Sequence, residues 1–132
     1  MTPSARIAAA IELLEKIERS YSSANKVISH YYRSRRYIGS KDRREISSRV
    51  FKILRHHARL LWWTNGGLPR LRTIASLVLI DKFPQQEIQN LFDGRGYAPL
   101  PLSPSELERL KPLADQMIDD DAMVDALKNG KI

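Results

Sequence analysis

Residues 40–64 read SKDRREISSRVFKILRHHARLLWWT. At about 100° per residue, Ile46, Val50, Ile53, Leu54, His57 and Leu61 share an arc roughly 100° wide. Arg44, Lys52, Arg55 and Arg59 fall opposite that arc, within roughly 80° of one another. This spacing predicts an amphipathic helix with an apolar stripe facing inward and a cationic face turned outward. Ser40 or Asp42 is placed to cap its start, and Asp42 and Glu45 have the spacing of a capping box. The helix is expected to reach Thr64, where Asn65-Gly66-Gly67 stops it.

Helical periodicity continues on both sides. Upstream, Thr2 is an N-cap with Pro3 at the first helical position, and Ile7, Ala10, Ile11, Leu14 and Ile17 form a stripe. A polar turn over 20–23 leads into a helix over 24–34, with Val27, Ile28, Tyr31 and Tyr32 inward. Downstream, Pro69 starts a helix to about Lys82 whose apolar residues leave little polar surface, which marks it as central and buried. Pro84 opens a short helix carrying Ile88, Leu91 and Phe92, and Gly94 to Leu102 reads as an extended loop. Ser103 and Glu106 flank Pro104 in a second capping box, and Pro112 is expected to end or kink that helix near Lys111. Asp119-Asp120-Asp121 precede a last short helix holding Met123, Val124 and Leu127. No stretch alternates at period two. The expected fold is all-α, a single domain of six or seven helices over residues 1–132.

Charge is unevenly spread. The chain holds 22 Lys and Arg against 15 Asp and Glu, and 13 of those cations lie between Lys26 and Arg72, opposed there only by Asp42 and Glu45. Residues 73–132 carry a net negative charge. Such polarity creates a field that draws a polyanion to one side, and nucleic acid is the leading partner. Arg33, Arg35, Arg36, Lys41, Arg44, Lys52, Arg55 and Arg59 are the candidate phosphate contacts, since guanidinium groups bond phosphate oxygens bidentately. Tyr37 sits among them, either to stack on an unpaired base or to pack on neighbouring helices. Arg43 borders the apolar stripe and is read as a structural arginine bonding helix ends or a buried carboxylate.

Several functions are excluded or disfavoured. With no cysteine, the chain has no thiol nucleophile, no disulfide and no thiolate zinc site. Adjacent His56 and His57 point about 100° apart on a helix and do not form a metal pair; His57 is read as a packed core histidine. Trp62 and Trp63 are expected to close the core, with one ring partly exposed. Glu106, Glu108 and Asp119–Asp121 read as caps and solvated faces, and no catalytic constellation or metal site is found. No apolar run approaches the roughly 20 residues of a membrane span, and Glu12, Glu15 and Glu18 interrupt any signal-like start. The chain is therefore read as cytoplasmic and not membrane-bound.

Three segments, Pro3-Ser4-Ala5-Arg6-Ile7-Ala8-Ala9, Arg36-Tyr37-Ile38-Gly39-Ser40-Lys41-Asp42-Arg43 and Val50-Phe51-Lys52-Ile53-Leu54-Arg55, appear in that order. Later come Leu91-Phe92-Asp93-Gly94 and Tyr97-Ala98-Pro99-Leu100-Pro101-Leu102-Ser103, followed by Glu106. Over roughly residues 3–111 this resembles the N-terminal NusB-like domain of the Sun/Fmu family of bacterial ribosomal RNA cytosine-C5 methyltransferases. The resemblance implies a helical RNA-binding domain that engages ribosomal RNA for a catalytic domain in cis. That domain would bind S-adenosylmethionine and carry the Pro-Cys nucleophile, neither of which this chain supplies; no cofactor is expected here. The chain is thus expected to be a piece of a longer protein. Residues 115–132 match the family less closely. A freestanding NusB-like antitermination factor and a docking module for the catalytic domain are the alternatives.

Overall fold

The Ala5 amide donates to Thr2 Oγ1 at 3.1 Å and Pro3 takes the first helical position, so α1 (Pro3–Arg19) begins where its cap dictates. The computed structural model describes residues 1–113. Six further helices follow: α2 (Ala24–Arg33), α3 (Ser40–Arg55), α4 (His57–Thr64), α5 (Pro69–Leu79), α6 (Gln85–Leu91) and α7 (Pro104–Leu113). Among the described residues there is no strand, and the fold is all-α. The helix expected after Asp119–Asp121, with Met123, Val124 and Leu127, lies outside the described residues.

The core is organised around α1 and α5. Helix α1 packs chiefly on α3, and also on α2, α5 and α6. Its Leu13 and Leu14 are fully buried beside Ile46, Val50 and Ile53 of α3 and Ile74, Leu77 and Leu79 of α5. Each such Leu or Ile contributes about 2 kcal/mol by leaving water. Every residue of α5 from Leu71 to Leu79 is buried, as its all-round apolar character predicts. Thr73 and Ser76 survive there because their hydroxyls donate to carbonyls of their own helix, Pro69 at 2.8 Å and Thr73 at 2.7 Å. The helix stops three residues earlier than expected, at Leu79.

The long helix expected to reach Thr64 is broken at His56 (φ −102°, ψ 20°). There the backbone N–H and ring Nδ1 of His56 both approach the Lys52 carbonyl, at 3.1 and 2.9 Å. Helix α4 restarts in a new phase that turns Leu60 and Thr64 inward and leaves His57 exposed, so His57 is not a core histidine. Its Nδ1 instead meets Arg72 at 3.1 Å. Asn65 ends α4 in the left-handed region (φ 55°), and Trp63 packs on the core while Trp62 remains partly exposed.

The two expected capping boxes fared differently. Ser103 and Glu106 form theirs, with reciprocal bonds of 2.8 and 3.1 Å. Asp42 and Glu45 do not; Gly39 is the N-cap of α3, and both carboxylates bind Arg6 of α1, at 3.1 and 2.6 Å. Long-range pairing with a guanidinium outcompeted the local bond. Helix α7 runs through Pro112 to Leu113 instead of ending at Lys111.

Candidate nucleic-acid interface

The segment between α2 and α3 is a tight turn. The Ile38 amide donates to the Arg35 carbonyl at 3.1 Å, and the Ile38 side chain is buried. With its last residue plugged into the core, the turn's two central residues, Arg36 and Tyr37, project into solvent; Tyr37 is 78% exposed. Arg43 fastens the turn from α3. Its Nε donates to the Ile38 carbonyl at 2.7 Å and Nη2 to the Tyr32 carbonyl at 3.3 Å. The structural reading of Arg43 is thereby explained: it satisfies orphan carbonyls at a helix end.

The candidate phosphate contacts divide into two groups. Arg33, Arg36, Lys41, Arg44 and Arg55 are exposed, and none forms a hydrogen bond or ion pair with another described residue. Lys41, Arg44 and Arg55 lie on one face of α3, whose length from Lys41 to Arg55 is about 21 Å. No side chain caps the start of that helix.

Arg35, Lys52 and Arg59 depart from the expectation. Arg35 donates to Glu12 at 2.7 Å and lies over the Tyr31 ring, 4.0 Å from its centroid. Lys52 donates to Asp81 at 3.2 Å, sharing that carboxylate with Arg49. Two cations on one carboxylate still leave a net positive charge. Arg59 sits on α4, beyond the break at His56, and is not free. The continuous face of Arg44, Lys52, Arg55 and Arg59 therefore loses its last member. Helical periodicity carries no sign of the Lys52 pairing, because its carboxylate partner lies 29 residues away.

Electrostatics inside this region follow from burial. Burial works to raise the Asp81 carboxyl, but hydrogen bonds and charge from Arg49 and Lys52 outweigh it and hold the group below its ordinary 3.8. Burial pushes the Tyr31 and Tyr32 hydroxyls up, keeping both neutral. Tyr32 uses its hydroxyl to bond the Arg43 carbonyl at 2.9 Å.

Exposed rings are a second signal, only half seen in the sequence. Tyr37 lines a groove of about 640 Å³ together with Tyr97, which is 89% exposed. Tyr97 stands in the loop between α6 and α7, about sixty residues away in the chain, so no local pattern joins the two rings. Glu106 and Glu108 have structural partners, Arg70 at 2.8 Å and Lys111 at 3.1 Å. No described helix is long and apolar enough to cross a membrane. Comparison with known proteins finds no matching family model, no matching curated protein and no matching solved structure.

Proposed function

We propose that this chain is an RNA-binding domain that grips the phosphate backbone with Lys41, Arg44 and Arg55 of α3 and with Arg33 and Arg36 beside the α2–α3 turn. The observation that carries this reading is the contrast in pairing. Those five cations, with Lys26, are the exposed members of the Lys26–Arg72 stretch without a described partner, whereas Arg35, Arg49, Arg70 and Arg72 are bound internally. Unpaired guanidinium and ammonium groups on a rigid helix present donors at fixed spacing and give up little internal bonding when a phosphate arrives. The parent reading, drawn from the family resemblance, is an accessory domain of an S-adenosylmethionine-dependent ribosomal RNA cytosine-C5 methyltransferase. Catalysis then belongs to another domain, because attack on the pyrimidine requires a cysteine thiolate and this chain has no cysteine.

The test is a triple charge reversal, Lys41→Glu, Arg44→Glu and Arg55→Glu, titrated against a small-subunit ribosomal RNA fragment over a range of salt. Each lost phosphate contact should make the log–log salt slope shallower by about 0.7–0.9. The helical circular-dichroism spectrum should be retained, since all three side chains are exposed. Unchanged affinity and slope would reject this face as the RNA contact.

A further inference from the structure

Two turns of this protein are closed by the same kind of bond, though their backbones differ at the second residue, where Gly96 has φ 56° and Arg36 is not left-handed. Arg35-Arg36-Tyr37-Ile38 is closed by the Ile38 amide on the Arg35 carbonyl at 3.1 Å, and Arg95-Gly96-Tyr97-Ala98 by the Ala98 amide on the Arg95 carbonyl at 2.9 Å. Each places a tyrosine at the third position and holds it out in solvent. The second turn is fixed further by Gly94, whose amide bonds the Pro99 carbonyl at 3.0 Å and whose φ of 70° suits glycine. These tyrosines come from distant parts of the chain, yet both line one groove over Ala5, Ala8 and Ala9 of α1. Small side chains there leave the groove open.

Tyr31 belongs to that groove and also to a neighbouring cleft of about 370 Å³. Lys16, Lys26, His30 and Arg35 line the cleft with the hydroxyl-bearing Ser20 and Ser22, and no carboxylate lines it among the described residues. Among the described residues the one carboxylate lining the groove is Glu12, already engaged by Arg35 at 2.7 Å and by the Tyr31 hydroxyl at 3.4 Å. An open slot with two exposed rings therefore adjoins a cleft lined by basic side chains.

That pairing matches a polymer of flat rings joined by anions. We propose that the α1–α2 face is a single-stranded RNA site: an unpaired base stacks on Tyr37 and Tyr97 over the alanine floor, and an adjoining phosphate enters the cleft beyond Tyr31. A duplex keeps its base faces stacked internally and cannot use the tyrosines in this way. The inference rests on the RNA-binding reading above but uses a different surface from the α3 face, and Lys16, Lys26, Arg95 and Tyr97 are new to it. A protein segment is a poorer occupant, since the cleft's cations, with no carboxylate beside them among the described residues, favour a polyanion.

The experiment measures anisotropy of labelled oligouridine and of a labelled blunt RNA duplex with the full chain at low and moderate salt. Tyr97→Ala and Tyr37→Ala should each lower the ratio of single-strand to duplex affinity roughly 5- to 150-fold, the range for losing one base–aromatic stack. Tyr97→Phe should restore it. Lys26→Glu should weaken oligouridine binding and make its salt dependence shallower. If oligouridine affinity ignores both alanine variants while the α3 triple reversal reduces it, the groove is not a base site and a peptide becomes its better occupant. If the wild-type chain binds neither RNA, this site and the RNA-binding reading fall together.

Discussion

Arg72 and Arg44 belong to the same basic stretch and have opposite fates. Arg72 is 2% exposed; its guanidinium bonds Glu18, the Gly67 carbonyl at 3.1 Å and the His57 ring at 3.1 Å. It ties α1, the α4–α5 turn and α5 into one body. Arg44 faces solvent on α3 with no described partner. The difference teaches that a count of cations measures two quantities at once: bonds that hold the fold and charge available to a ligand. Arg35, Arg43, Arg49, Arg70 and Arg72 are of the first kind. Arg33, Arg36, Lys41, Arg44 and Arg55 are of the second.

That contrast can be broken most forcefully at Arg72. Arg72→Met should cost about 3 kcal/mol in urea unfolding, because it strands the Gly67 carbonyl and removes a buried guanidinium that also bonds Glu18 and the His57 ring. Arg44→Met should change stability by no more than ~0.5 kcal/mol. Equal losses in the two variants would erase the distinction.

An intermediate effect is expected where two cations share one carboxylate. Asp81→Asn leaves Arg49 and Lys52 without their counter-charge and should cost about 1–2 kcal/mol in the same measurement. A smaller and more diffuse effect should appear with acid. Hydrogen bonds from Arg70 chiefly lower the Glu106 carboxyl below its ordinary 4.5, and the Asp81 carboxyl also lies below its ordinary value of 3.8. Folded values below unfolded ones mean that stability from these pairs is complete above the unfolded values. It is lost as pH falls through the folded values. The urea midpoint should therefore drop below about pH 4, and Asp81→Asn combined with Glu106→Gln should flatten that drop.

Most of the helical layout was legible, for identifiable reasons. Thr2-Pro3, Pro69 and Ser103-Pro104-Ser105-Glu106 mark helix starts through local bonds and a fixed proline φ, so they needed no tertiary help. The uniformly apolar α5 announced its own burial. The break at His56 was missed because the apolar pattern runs on through it, and only packing of Leu60 and Thr64 favours the new phase. The Asp42–Glu45 box was misread because its competitor, Arg6, lies in another helix.

The amino-acid sequence by itself determined an all-helical chain, its buried central helix and a basic middle segment, since periodicity, capping and charge are written within a few residues of one another. Only the tertiary structure decided which cations remain open and that Tyr37 and Tyr97 line one groove. Pairing a charge or bringing two rings together depends on the three-dimensional distance between residues far apart in the chain, and that distance exists only once the helices have packed.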